Sequence, residues 1–158
     1  MAGFAHGTAL LPTFRDGAHP AKGLPMNTPS PLAASLYVAL GGGAGAVLRY
    51  QAGRLMTHWL GPNVAFPWPT FMINVTGSLA MGLLAGYLAR HGQGGEHWRL
   101  LLGVGLLGGY TTFSSFSLEA MLLIERHQFG PAFGYAAGSV LAGIVALWLG
   151  LVTMRAVG

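Results

Sequence analysis

Charged residues are scarce in this chain, and cysteine is absent. Only 8% of its 158 residues are charged, against about 25% in a typical soluble domain. Such a chain has too few charges to cover a water-facing surface. The lack of cysteine excludes disulfides, thiolate metal sites and cysteine nucleophiles. Apolar residues make up 53% of the chain and the mean hydropathy is +0.54, so the composition predicts an integral membrane protein.

The few charged residues favour neither nucleic-acid binding nor a transition-metal site. Eight Lys and Arg residues against four Asp and Glu give a net charge of +4. The basic residues are scattered, mostly near the ends of apolar segments, where they are expected to anchor helices at the membrane surface. The six histidines lie near segment ends or in the N-terminal region, and none pairs at ligand spacing within an apolar segment.

Four apolar segments predict the fold. They cover about residues 32–56, 66–90, 98–125 and 129–155, and each is near the roughly 20 residues that a transmembrane helix needs. The connections are short, so consecutive helices are expected to be neighbours. The predicted fold is therefore all-α, with four transmembrane helices over residues 31–158.

The N-terminal 30 residues are predicted to lie outside this membrane domain. They are rich in Gly, Pro, Ala and Thr and have no continuous apolar core. They therefore lack the apolar region of a signal peptide, and we expect a disordered extension. Met26 lies just before the first apolar segment, which makes residues 1–25 a candidate over-called N-terminus.

Basic residues near the helix ends are almost balanced between the two sides of the predicted membrane. One side has Lys22, Arg90, Arg99 and Arg155, and the other has Arg49, Arg54 and Arg126. Because an excess of Lys and Arg normally sets orientation, a chain with so small a bias is expected to insert both ways. Copies of opposite orientation can form an antiparallel two-fold dimer, which encloses a pore more readily than four helices alone.

The most informative stretch is residues 108–117, GGYTTFSSFS, inside the third apolar segment. Glycine costs a helix roughly 1 kcal/mol relative to alanine, and Ser and Thr compete for backbone hydrogen bonds. We therefore predict that the third helix is broken here. Freed backbone at membrane depth is tolerated only where it is buried in protein or lines a polar cavity, so a break indicates a functional site.

Polar residues inside the apolar segments are candidates for that site, and each has a structural alternative. Asn74, with Ser78 one turn further on, either makes an interhelical hydrogen bond or donates to a passing ligand. Glu119 is the only acidic residue well inside a segment, and it is either functional or a protonated or hydrogen-bonded partner of a helix end. Tyr135 and Ser139 lie four apart and form either a hydroxyl ladder for an anion or a packing surface.

Two phenylalanines and one arginine extend the set of candidates. Phe113 and Phe116 lie three apart on one helical face, beside Thr112. Aromatic pairs at this spacing usually belong to a core, but ring edges are positive and can line a path for an anion. Arg49 is either an interfacial anchor or a cation that concentrates anions at a pore mouth. The glycine-rich residues 41–46 are expected to allow close helix packing.

Three motifs resemble the signature of the fluoride channel family, the small bacterial proteins called Fluc and also known as camphor-resistance proteins. They are residues 41–50 (GGGAGAVLRY), 70–78 (TFMINVTGS) and 108–116 (GGYTTFSSF). The last motif is the most specific, because such a run in the third of four short-looped helices is hard to reach by chance. The resemblance covers all four helices, from about residue 32 to the C-terminus.

This resemblance implies an antiparallel, dual-topology homodimer with two fluoride pores and a structural sodium ion at its centre. The backbone carbonyls of Gly108 and Thr111 would hold the sodium. The residues implied to line the fluoride pore are Arg49, Asn74, Thr112, Phe113, Phe116, Glu119, Tyr135 and Ser139. Two departures occur, since Gly143 stands where the next hydroxyl of the fourth helix is expected, and Pro69 stands where the family usually has glycine. The first departure puts in question the far end of the row of hydroxyl groups that begins with Tyr135 and Ser139 on the fourth helix.

The implied function is that of a passive, fluoride-selective channel of the bacterial inner membrane, which exports cytoplasmic fluoride and reduces its toxicity. Its expected partners are fluoride, a second copy of the chain and the lipid bilayer. No arrangement of nucleophile, base and orienting acid occurs, so an enzyme is not expected. The main rival is a small dual-topology multidrug antiporter, but such proteins keep a glutamate in the first helix, which here contains no acid. A purely structural packing protein would leave the broken helix unexplained.

Overall fold

The computed structural model describes residues 28–61, 64–90 and 95–157. All regular structure within these ranges is helical. Its elements are α1 (Pro31–Leu60), α2 (Trp68–Arg90), α3 (Gly95–Trp98), a π-helical segment (Arg99–Leu107), α4 (Gly108–Tyr110), α5 (Phe113–Glu125) and α6 (Phe129–Ala156). The predicted disorder of the N-terminal extension concerns residues that lie, up to position 27, outside the described part of the chain.

The described residues form four spans that are long and apolar enough to cross a membrane. They are α1, α2, a third span from α3 to α5 (Gly95–Glu125), and α6. The predicted all-α fold with four transmembrane helices is therefore confirmed. The first helix is longer than predicted, because it continues to Leu60 and ends at Gly61, whose φ of 82° lies in the region that favours glycine.

Glycines on α1 and the third span let the two backbones touch. A Cβ atom on Gly41 would collide with the backbone carbonyl of Leu101, and one on Gly45 would collide with that of Leu106. The fit is mutual, because a Cβ on Gly109 would in turn meet the carbonyl oxygen of Gly42. The prediction that residues 41–46 allow close helix packing is confirmed.

A second glycine seam joins α2 to α6. A Cβ on Gly82 would collide with the carbonyl oxygen of Leu147, and one on Gly150 would lie 2.5 Å from the carbonyl oxygen of Leu79. In lipid, association of helices depends on close van der Waals packing, and small residues permit it. The two seams hold α1 against the third span and α2 against α6.

The third span is interrupted at Thr111 and Thr112, within the predicted stretch 108–117. Gly108 has helical φ and ψ of −63° and −38°, and its N–H donates to the Gly103 carbonyl of the preceding π-helical turn. The chain becomes extended at Thr111, with ψ of 159°, and at Thr112, with φ of −149°. The predicted break within residues 108–117 is confirmed, and it lies at the hydroxyl residues of the stretch, whereas Gly108 and Gly109 remain helical. Gly109 instead serves the close contact with α1.

The buried core is small and lies where α5 turns into α6. Leu123, Ala132 and the fully buried Tyr135 form it, and Phe116 is among the partly buried residues that pack against them. Most other large apolar side chains are exposed, as expected for helices whose outer faces meet lipid tails. The core therefore packs α5, the second half of the broken span, against α6.

Candidate functional site

The break in the third span is held by the side chain of Asn74 on α2. The Asn74 Nδ2 donates to the Thr112 carbonyl oxygen at 3.0 Å, and the Thr112 N–H donates to Asn74 Oδ1 at 2.9 Å. One side-chain amide thus replaces a peptide group as the partner of an interrupted backbone. Of the two alternatives for Asn74, the structure shows the interhelical hydrogen bond. Because Nδ2 carries two hydrogens, this pair leaves one for a ligand.

Two carbonyls at the break lose their usual helical donors. The Thr112 N–H, which would close a helical turn on the Gly108 carbonyl, donates to Asn74. The Ser115 N–H, which would do so for the Thr111 carbonyl, donates to Thr112 Oγ1 at 3.3 Å. The Thr111 oxygen accepts instead from Arg49 Nη1, at 3.4 Å. The two carbonyls predicted to bind a cation are therefore both released from the helical hydrogen-bond ladder.

Thr112 also begins the next helix. Its extended backbone and its Oγ1, which accepts from the Ser115 N–H, form the N-cap of α5. The same hydroxyl donates to Ser115 Oγ at 3.1 Å. The break therefore presents the N-terminal end of a 13-residue helix, with its partial positive charge, beside two hydroxyl groups.

A cavity of about 710 Å³ opens over this helix end. Arg49, Arg54 and His58 line it from α1, while Thr112, Ser115 and Glu119 are among the residues that line it from the third span. Two guanidinium groups face a single carboxylate in this cavity. A cleft with an excess of positive charge raises the local concentration of anions.

A smaller cavity of about 240 Å³ lies at the other side of the break. Its lining residues are Asn74, Ser78, Thr111, Thr112 and Phe113. Thr112 lines both cavities, so both spaces border the N-cap of α5. Phe113 lines the smaller cavity and has 79% of its surface exposed.

Glu119 is held by two hydroxyl donors from two different helices. Thr70 Oγ1 donates to Oε1 at 2.7 Å, and Tyr135 OH donates to Oε2 at 2.6 Å. Each carboxylate oxygen therefore has a donor at short distance, which is how a carboxyl group in a membrane segment avoids an unpaired buried charge. The structure shows the hydrogen-bonded alternative for Glu119 and directs the Tyr135 hydroxyl at this carboxylate.

Thr70 is the member of this site that sequence reasoning missed. A detectable signal exists, because Thr70, Asn74 and Ser78 recur every four residues and so form one polar stripe along α2. All three line cavities at the break, Thr70 the larger one and the other two the smaller one. The stripe as a whole, rather than Asn74 alone, marks the face of α2 that meets the site.

The two predicted phenylalanines are close together but differ in environment. Their ring centroids lie 5.7 Å apart with the planes inclined at 40°. Phe116 continues into the core, with its ring 5.1 Å from that of Tyr135, whereas Phe113 remains exposed. The pair therefore links the open side of the break to the packed junction of α5 and α6.

Ser139 is the predicted polar residue whose side chain has no hydrogen-bond partner among the described residues, although its Oγ is buried. An unpaired buried hydroxyl costs about 1–3 kcal/mol unless water or a ligand meets it. The structure thus gathers Arg49, Asn74, Thr112, Phe113 and Glu119 around the break, whereas Ser139 on α6 lines neither of the two cavities.

Comparison with known proteins finds relatives over most of the chain. The family model for CrcB-like proteins, described as camphor resistance, matches residues 36–151. A protein named fluoride-specific ion channel FluC, from Novosphingobium aromaticivorans, is 63% identical over 126 residues, which are 80% of this chain and 99% of that protein. Proteins of the same name from Phenylobacterium zucineum and Erythrobacter litoralis are each 54% identical, covering 78% and 82% of this chain and 97% and 98% of their own lengths.

Proposed function

This chain belongs to the CrcB-like protein family, and we propose that it is a passive, fluoride-selective channel in the bacterial cell membrane. It is a multi-pass membrane protein and not an enzyme. The observation that carries the proposal is the 63% identity to a protein named fluoride-specific ion channel FluC over 99% of its length. The matched residues 36–151 include the break and every residue that lines the smaller cavity.

The chemistry of the smaller cavity supports fluoride as the ion. Fluoride is small and strongly hydrated, so a selective pore has to replace its water with donors placed close together. The free N–H of Asn74, the hydroxyl of Ser78 and the positive ring edge of Phe113 supply such donors within about 240 Å³. Chloride is larger and gains less from the same tight set of donors, which is the proposed origin of selectivity.

The two cavities suggest the order in which the residues act. The larger cavity collects anions through Arg49 and the N-terminal end of α5. Thr112 lines both cavities, and an anion that passes it reaches Asn74 and Phe113. Further along, the unpaired buried hydroxyl of Ser139 is available to an anion. We assign Phe116, Glu119 and Tyr135 to the wall that holds this path in place.

Export through such a pore needs no energy source other than the membrane potential. The membrane potential acts on each charge with about 2.3 kcal/mol per 100 mV. A negative interior therefore drives fluoride outward through a passive anion pore. This lowers cytoplasmic fluoride and so reduces its toxicity.

We further propose that two copies of the chain form an antiparallel homodimer. Phe113 stands beside the break with 79% of its surface exposed, which leaves one wall of the smaller cavity to be supplied by another surface. The near balance of basic residues between the two sides allows copies of opposite orientation. A two-fold axis close to the break would cover both copies of Phe113 at once.

A sodium ion at that axis is part of the same proposal. The carbonyls of Gly108 and Thr111 fit a hard cation, because the N–H groups that would normally meet them donate to side chains instead. Arg49 already donates to the Thr111 oxygen, which has a second lone pair for another partner. These two carbonyls would hold the ion, and its positive charge would stabilise oxygens that have lost their helical N–H partners.

Efflux of fluoride and chloride from liposomes loaded with purified protein tests the channel. Wild type is expected to release fluoride rapidly and chloride slowly, and Phe113→Ile and Asn74→Ala are expected to lose fluoride efflux. Phe133→Ile is the matched control, because Phe133 is equally exposed, at 76%, but lies on α6 away from both cavities. A folded wild-type protein that releases no fluoride would overturn the proposal and direct attention to proton-coupled drug exchange at Glu119.

A further inference from the structure

Ser78 occupies a position that sequence reasoning treated only as a neighbour of Asn74. It lies one helical turn beyond Asn74 on the same face of α2. Both residues line the smaller cavity, together with Thr112 and Phe113 from the third span. A hydroxyl group therefore continues the row of donors from the break along α2.

The residue that faces Ser78 across the α2–α6 interface is Gly143. A Cβ atom built on Gly143 would lie 3.4 Å from Ser78 Oγ, which is an ordinary van der Waals contact. The Ser78 hydroxyl thus lies against α6 at a point where α6 carries no side chain. Any donor at this level of the interface has to come from α2.

Ser139 lies one turn before Gly143 on α6, so its side chain points along the same face. Its Oγ is buried and unpaired within the described part of the chain. Two hydroxyl groups therefore follow one another along the α2–α6 interface. Ser78 on α2 lies at the level of Gly143, and Ser139 on α6 lies one helical turn from that level. Such hydroxyls can rotate to donate to an anion.

We propose that Ser78 is a fluoride-binding residue, whose hydroxyl donates to the anion at the level of Gly143, between the smaller cavity and Ser139. This inference rests on the proposed function, since it assigns a residue to the path of the same ion. It also explains how a donor is present where α6 has only glycine. The chemical requirement is for a hydroxyl at this place, and the helix that carries it is not decisive.

Moving the hydroxyl from one helix to the other tests this assignment. Fluoride efflux from liposomes is compared for wild type, Ser78→Ala, Ser78→Thr and the double variant Ser78→Ala with Gly143→Ser. We expect about a tenfold slower efflux for Ser78→Ala, as for loss of one good hydrogen bond. Ser78→Thr keeps a hydroxyl on α2, and the double variant supplies one from α6. Both are expected to show most of the wild-type efflux rate. Ser35→Ala is the matched control, because Ser35 is exposed near the start of α1 and lines neither cavity.

Each result of these efflux measurements either supports or overturns the assignment of Ser78 as a fluoride-binding residue. Wild-type efflux by Ser78→Ala would overturn the assignment while leaving the channel intact. Slow efflux by Ser78→Ala that neither hydroxyl-bearing variant repairs, in protein that elutes as a folded species, would show that Ser78 acts by packing and would also overturn it. Absence of fluoride efflux in wild type would instead overturn the proposed function, so the two failures are distinguishable.

Discussion

The side-chain amide of Asn74 and the backbone of Thr112 are joined by two hydrogen bonds in opposite directions, of 3.0 and 2.9 Å. The two residues are 38 positions apart in the chain. This pair lets the third span stay extended at membrane depth without unpaired backbone groups at Thr112.

Replacing Asn74 with Asp separates its structural and conducting roles. The carboxylate still accepts from the Thr112 N–H, but it cannot donate to the Thr112 carbonyl or to an anion. We expect a loss of about 1–3 kcal/mol of stability for the unpaired carbonyl and an almost complete loss of fluoride efflux, because the new negative charge repels the anion. Thermal unfolding in detergent and liposome efflux measure the two effects. Retained efflux would exclude Asn74 from the pore.

The glycine contacts between α1 and the third span predict a sharp difference between neighbouring positions. Gly45→Ala places a Cβ against the Leu106 carbonyl, whereas Gly43→Ala meets nothing within 4 Å. Overpacking typically costs about 1–3 kcal/mol, so we expect Gly45→Ala to lower the unfolding temperature and the yield of folded protein. Gly43→Ala is expected to behave as wild type. Equal stability of the two variants would contradict the observed packing.

The guanidinium of Arg49 predicts an effect that depends on salt. Arg49→Gln removes a charge from the larger cavity and the hydrogen bond to the Thr111 carbonyl. We expect fluoride efflux at low fluoride and low ionic strength to fall about tenfold, since steering by charge is typically of that order or larger. The difference in efflux rate between Arg49→Gln and wild type should decrease as the ionic strength is raised.

Arg155→Gln is the matched control for this charge. It removes a guanidinium at the C-terminal end of α6 but keeps the Arg155 carbonyl oxygen, which accepts from Arg90 Nη2 at 2.8 Å. Its efflux is expected to match that of wild type at every ionic strength. An equal loss in both variants would mean that net charge, rather than the position of Arg49, sets the rate.

Tyr135→Phe is predicted to destabilise the junction of α5 and α6. Tyr135 is fully buried and its hydroxyl donates to Glu119 at 2.6 Å. Phenylalanine leaves one carboxylate oxygen without this donor, at a cost of about 1–3 kcal/mol. Tyr110→Phe is the control, because its partner Thr76 keeps a hydrogen bond to the Met72 carbonyl at 2.7 Å. Thermal unfolding compares the pair, and an unchanged midpoint for Tyr135→Phe would show that the bond contributes no net stability.

The proposed sodium ion predicts stability that depends on that cation. A bound ligand stabilises the folded state by an amount that rises with the logarithm of its concentration above Kd. We expect the unfolding temperature of the purified protein to rise with sodium chloride, and to stay low when N-methylglucamine chloride provides the same ionic strength. Identical unfolding in the two salts would count against a sodium site at the Gly108 and Thr111 carbonyls.

Much of the site was predictable from residue types, but its internal pairing was not. The motif at residues 108–117 correctly located the break, and one of the two alternatives for Asn74, an interhelical hydrogen bond, is the one that the structure shows. Within that motif the break lies at Thr111 and Thr112, whereas Gly109 admits the backbone of α1. Which residue takes which role depends on the surface that faces it. Thr70 was missed although its four-residue spacing from Asn74 could have signalled it, because its role depends on the contact with Glu119.

The sequence by itself determined the membrane class, the four helices, the family and the site of the break. These properties follow from composition and local pattern, because lipid requires each segment to satisfy its own backbone hydrogen bonds and to present apolar side chains. Only the tertiary structure decided that Asn74 closes the break, that Tyr135 and Thr70 hold Glu119, and that Ser78 faces Gly143. Such relationships join residues on different helices, so they depend on which faces pack together and at what height.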